Sequence, residues 1–161
     1  MTFDELLITY GPALKRVAAS YAPPGAERED LEQEIVLALH TAWPGFRGDA
    51  SARTFAYRIA HNCGITLMKN RRGAPRTQPL DPSHAVTRRT PERIAQRRQE
   101  YERLARAVRR LPLSQRQPMS LRLEGLSYAE IGEVLGLTTS NVGARLHRAT
   151  AELRRLMEGG T

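Results

Sequence analysis

Phe3, Leu6, Leu7, Tyr10, Leu14, Val17, Ala18 and Tyr21 recur at steps of three and four, the period of an amphipathic helix. Thr2 and Glu5 are placed to box its start, and Gly11-Pro12 is expected to kink it. Pro23-Pro24-Gly25 predicts a turn, and a second helix is expected over 28–42 with Leu31, Ile35 and Leu39 inward. Its other faces carry Glu29, Asp30, Glu32, Gln33 and Glu34, which near a helix start favour the macrodipole. A loop with Trp43, Phe46 and Arg47 leads to a third helix over 52–72, where Phe55, Ile59, Cys63 and Leu67 share one face. That spacing makes Cys63 a packed core thiol. No segment alternates with period two, so no strand is expected.

Residues 73–91 break the pattern with Pro75, Pro79, Pro82 and Pro91 and few apolar residues. Such a stretch reads as a flexible, semi-extended linker with a reach of roughly 60 Å at about 3.3 Å per residue. The fold expected is all-α: two small helical domains, 1–72 and 92–161, joined by this linker. In the second, Ile94, Tyr101, Leu104, Val108 and Leu111 mark one helix, ended by Pro112. Another is expected over 115–124, boxed by Ser114 and Gln117, with Pro118 in its first turn.

The chain then reads Gly125-Leu126-Ser127-Tyr128-Ala129-Glu130-Ile131-Gly132-Glu133-Val134-Leu135-Gly136-Leu137. Ser127 and Glu130 make a capping box, and Gly136 supplies the left-handed residue that ends the helix. Thr138 or Thr139 caps the next helix, whose stripe Val142, Leu146, Ala149, Leu153 and Leu156 is unbroken. Two short helices around a glycine turn form a helix-turn-helix, whose second helix is shaped for a DNA major groove.

Charge sharpens this picture. Twenty-five basic against seventeen acidic residues give +8, a balance that favours a polyanion, with nucleic acid the usual one. No apolar run approaches a spanning helix, no signal peptide opens the chain, and a single cysteine excludes an internal disulfide framework. A cytoplasmic protein without membrane insertion is expected.

A recognition helix needs polar side chains aimed at base edges and cations for phosphates. Thr139, Ser140, Asn141, Arg145, His147 and Arg148 meet that need, with Arg145 suited to guanine and Asn141 to adenine. In the first half, aromatics beside cations suggest single-strand contact, with Tyr57, Arg58, His61 and Asn62 the better exposed candidates. His40, His61, His84 and His147 show no metal-ligand spacing. No catalytic residue, metal site or cofactor is expected.

Several stretches together resemble the extracytoplasmic-function (ECF) sigma factors, the compact two-domain branch of the sigma-70 family of bacterial RNA polymerase. They are Asp30-Leu31-Glu32-Gln33-Glu34-Ile35-Val36-Leu37-Ala38-Leu39, the run from Phe46 to Asn62, Leu111-Pro112, Glu124 to Ile131, and Arg145-Leu146-His147-Arg148-Ala149. The resemblance implies that Asp30, Gln33, Glu34 and Leu37 dock on the clamp helices of the polymerase largest subunit. It also implies that Phe46, Asp49, Ser51, Tyr57, Arg58, His61 and Asn62 capture the melted downstream promoter element. The helix-turn-helix would read the upstream element as duplex promoter DNA, and an anti-sigma factor is an expected partner. Gly143 departs from the family, which often places a phosphate-gripping Lys or Arg there; Ala56 and Pro118 depart as well. The competing readings are a stand-alone helix-turn-helix repressor or activator, and a polymerase-docking adaptor that reads no promoter.

Overall fold

The computed structural model describes residues 1–73 and 91–159. The linker proper and the terminal Gly160-Thr161 lie outside the described residues, as does His84. Seven α-helices and no strands occur among the described residues: α1 (Phe3–Ala19), α2 (Ala26–Ala42), α3 (Ala52–Gly73), α4 (Glu92–Arg109), α5 (Leu113–Leu123), α6 (Tyr128–Leu135) and α7 (Thr139–Glu158).

Helix α1 begins with the expected box: the Thr2 amide donates to Glu5 Oε2 at 2.8 Å, and the Glu5 amide donates to Thr2 Oγ1 at 3.1 Å. Pro12 does not end it; the helix is continuous from Phe3 to Ala19. The proline removes one donor and frees the Ile8 carbonyl, but Pro12 and Ile8 are both exposed, so water can satisfy that group. Leu6, Leu14 and Val17 of α1 pack with Leu31, Ile35 and Leu39 of α2 and with Ala56 and Ala60 of α3. The stripe read on α3 holds Phe55, Ile59, Cys63 and Leu67, all only partly buried. The most buried face instead carries the small residues Ala56, Ala60 and Gly64. At Gly64 an added Cβ would meet the Tyr21 ring at 2.5 Å, so α3 and the end of α1 approach closely because that residue has no side chain.

Helix α5 corrects one expectation. It starts at Leu113 with Pro112 as its cap, and no side chain caps it. Ser114 therefore sits inside the first turn, and Gln117 is turned elsewhere. Pro118 falls in mid-helix rather than in the first turn, which leaves the Ser114 carbonyl without its helical donor. Arg145 Nη1 donates to that carbonyl at 3.4 Å. Leu111, Leu121, Leu126, Ile131, Val142 and Leu146 form the interior of the second half.

The two halves pack on one another. Arg16 gives Glu124 a two-pronged ion pair, 2.7 Å on each prong. Arg28 does the same to Glu102 at 2.5 and 3.0 Å while also donating to the Ala22 carbonyl at 2.9 Å. Arg109 Nη1 donates to the Ala19 carbonyl at 2.8 Å. Helix α3 lies against α6, so the buried residues of both halves form one continuous cluster.

Candidate nucleic-acid interface

The turn between α6 and α7 is built as its residues demand. Ser127 donates its amide to Glu130 Oε1 at 3.0 Å and accepts from the Glu130 amide at 3.2 Å. The Ser127 amide, helped by the Ser127 hydroxyl, favours the ionised form and holds the Glu130 carboxyl below its ordinary range. Gly136 closes α6 at φ +70°, a left-handed conformation in which a side chain is strained. The Leu137 amide donates to the Gly132 carbonyl at 2.9 Å, and a Cβ on Gly132 would stand 2.5 Å from the Leu137 carbonyl oxygen. The turn can therefore fold back on α6 only over a glycine. Thr138, rather than Thr139, caps α7, accepting from the Asn141 amide at 3.1 Å.

Helix α7 buries Val142, Leu146, Ala149 and Leu156 and exposes Thr139, Ser140, Asn141, His147 and Arg148. Arg145 is half-buried. Its Nε donates to Asn141 Oδ1 at 2.7 Å, so the two side chains best suited to read bases are bonded to each other. Gly143 lies under Tyr128, where an added Cβ would rest 3.5 Å from the ring. Arg122 stacks on the Tyr128 ring, 5.4 Å from its centroid.

On α2, Asp30, Gln33 and Glu34 are exposed, and Leu37 is 66% exposed although apolar. The four lie on one side of a helix whose opposite side is buried, so the ridge is free of the fold's own packing.

The stretch following α2 is ordered by aromatics. Trp43 stacks on Phe46 with centroids 5.0 Å apart, and Phe46 tilts on Phe55 at 4.9 Å. Asp49 and Asn62 are exposed. Ser51 has a local task, accepting from the Thr54 amide at 3.0 Å at the start of α3.

Two residues expected to be exposed are not. Tyr57 is 3% and His61 2% exposed, because both lie on the side of α3 that meets the second half of the chain. Tyr57 donates to Glu124 Oε1 at 3.3 Å, and burial beside that carboxylate pushes its hydroxyl up to about 12. His61 Nδ1 is 2.7 Å from the Tyr21 hydroxyl, and burial alone lowers the imidazole to about 3. Arg58 is exposed, but its Nη2 donates to the Glu133 carbonyl at 2.5 Å. Arg53, Arg16, Gln117 and Glu124, which make this junction, carried no signal in the sequence: their partners lie at least 67 residues away.

Among the described residues no three His, Cys, Asp or Glu side chains converge as a metal site, and no helix is long and apolar enough to cross a membrane.

Residues 6–73 match the family Sigma-70 region 2, and residues 101–153 match Sigma-70, region 4. RNA polymerase sigma factor YlaC of Bacillus subtilis is 32% identical over 133 residues, 80% of this chain and 76% of YlaC. The chain belongs to the sigma-70 family, in its ECF branch. ECF RNA polymerase sigma factor SigM of Mycobacterium tuberculosis is 29% identical over 159 residues, 96% of this chain and 76% of SigM. The ECF RNA polymerase sigma-E factor of Escherichia coli is 27% identical over 157 residues, covering 91% and 82%. Among solved structures, CnrH in complex with the cytosolic domain of CnrY superposes with a TM-score of 0.71 at 26% identity, covering 99% of this chain and 89% of CnrH. The sigma factor RpoE of Bartonella quintana, in complex with the anti-sigma factor NepR, gives 0.73 at 19% identity, covering 99% and 98%, a likeness of fold. Membership makes this chain an initiation factor of RNA polymerase.

Proposed function

We propose that this sigma factor docks on the polymerase core through the α2 ridge and reads a promoter with two separate surfaces. Asp30, Gln33, Glu34 and Leu37 meet the clamp helices of the largest subunit. The 43–62 stretch takes the melted downstream element, with Phe46, Asp49, Ser51, Arg58 and Asn62, and with the buried Tyr57 and His61 only once the two halves part. Thr139, Ser140, Asn141, Arg145, His147 and Arg148 read the upstream duplex. Residues 1–72 and 92–161 act as separate domains in this role, so elements at the right spacing engage both at once, a gain in effective concentration. The reaction needs no covalent step: trapping unstacked bases offsets an opening cost of a few kcal/mol. Phosphate contacts give salt-sensitive affinity, and base contacts give choice. We further assign to it a sequestering partner of the anti-sigma kind and a site of action beside the polymerase in the cytoplasm.

The observation that carries this reading is the free polar face of α7, on a helix-turn-helix fixed by its box, glycines and cap. Copurification with core polymerase tests the docking step, and retardation of promoter fragments by the resulting holoenzyme tests the reading step. A stand-alone repressor would retard DNA without core. An adaptor would bind core and leave promoter choice unchanged.

A further inference from the structure

Arg53, Tyr57, His61, Gly64 and Met68 fall within one sector of α3 about 80° wide at 100° per residue. Three of them have partners in the other half of the chain, whereas His61 and Gly64 meet Tyr21 of their own half. Arg53 pairs with Glu130 at 3.1 Å, Tyr57 with Glu124, and the Met68 sulfur lies 3.3 Å from Arg116 Nη1. His61 sits in the middle of this sector. Its ring touches Tyr21, 2.7 Å through the hydroxyl, and Gln117 Nε2 of α5 donates to that same hydroxyl at 3.0 Å. The chain His61–Tyr21–Gln117 thus bridges the two halves, while among the described residues the buried His61 Nε2 has no partner.

We propose that this bridge is a proton-sensitive latch: it holds the two halves together while His61 is neutral, and it releases them when the imidazole takes a second proton. The idea rests on the reading above in one respect, that release uncovers Tyr57 and frees Arg58 from the Glu133 carbonyl for the promoter.

The surroundings decide the sign. The titratable groups around this junction include Tyr21 and Arg16 from α1 and its end, Glu34 from α2, Arg53, Tyr57, Arg58 and Cys63 from α3 itself, Arg109 from α4, Arg116 from α5 and Glu124 at its end, and Glu130 and Glu133 from α6. Glu124 and Glu130 are held by Arg16 and Arg53, and Glu34 acts on Cys63. Among the described residues none of the carboxylates pairs with the imidazole. Arg116 stands 5.9 Å from the centroid of the Tyr21 ring, and is itself bound to the Arg109 and Leu111 carbonyls. A second proton on His61 would be desolvated and unpaired. In the closed form the imidazole is therefore held far below its ordinary range; in an open form water restores it to about 6.5. The open form binds the extra proton, so the closed arrangement is fully stable above about pH 6.5 and weakens as pH falls below it. One proton per opening raises the open-to-closed ratio about tenfold between pH 7.5 and 5.5.

The test is small-angle X-ray scattering of the full chain across pH 7.5–5.5, with far-UV circular dichroism alongside, for wild type and His61→Phe. The expected result is expansion of the wild type on acidification at constant helicity, with a flat response from His61→Phe. An equal response from the variant, no expansion of the wild type, or a loss of helicity together with the expansion overturns the latch. Should His61→Phe not fold, imidazole NMR of the wild type decides. Protonation of His61 in step with expansion supports the proposal, and any other course overturns it. Neither measurement contains polymerase or DNA. Opening without promoter-directed transcription would sink the functional reading alone, and transcription without opening would sink the latch alone.

Discussion

At the scale of single residues, three glycines and one arginine show how local geometry sets function. Gly132 lies under the Leu137 carbonyl, with 2.5 Å left for a Cβ. Gly132→Ala should therefore cost about 1–3 kcal/mol of stability, as overpacking does, despite alanine's better helix propensity. Gly143 has room: its Cβ would make an ordinary contact with Tyr128. Gly143→Ala should stabilise the protein by up to about 1 kcal/mol. Thermal denaturation of the two variants checks both signs at once. Gly64, by contrast, permits the contact with Tyr21 and has nothing to do with a turn. Arg145 is bonded to Asn141 in the free protein, so reading a base requires exchanging that bond for bonds to the base edge. Arg145→Ala should lose about 1–3 kcal/mol of discrimination at one upstream base pair. Binding of holoenzyme to single-base promoter variants measures this; an equal loss on every sequence would make Arg145 a phosphate contact.

At the scale of elements, much of the fold was legible because helices announce themselves through neighbours in sequence. The Ser127–Glu130 and Thr2–Glu5 boxes, Gly136 and the Val142-to-Leu156 stripe all depend on residues within a turn or two, and all appear in the structure. Helix α5 was misread at its start because Ser114 and Gln117 imitate a box, while Pro112, with φ −55° and ψ 150°, already sets the entry. The α2 ridge was legible as a charged face, while its proposed docking role came only from the resemblance; Leu37 is exposed there, outside the fold's own packing. Reversing charge at Asp30 and Glu34 together should weaken core binding at unchanged helicity, measured by titration of core with labelled protein. Unchanged affinity would remove the docking assignment.

At the scale of the whole molecule, legibility ends. Tyr57 and His61 looked exposed because periodicity describes one helix at a time, whereas Tyr57 meets Glu124 and His61 meets Tyr21, both distant along the chain. Glu124 is the clearest case. In sequence it is an acid before a glycine turn; in the structure it accepts from Arg16 and Tyr57, with its side chain 8% exposed. Glu124→Ala removes both contacts and leaves the Tyr57 hydroxyl buried without this acceptor, so the two halves should separate more readily. Scattering at pH 7.5 should show a larger radius of gyration for this variant than for wild type at equal helicity.

The central claim is that two tethered readers give polymerase its choice of start site. Run-off transcription with purified core on a randomised promoter library, with transcript starts sequenced, tests it directly. The account predicts starts concentrated downstream of two short elements at a fixed separation, lost when either is scrambled. Starts no more selective than those of core alone would contradict it.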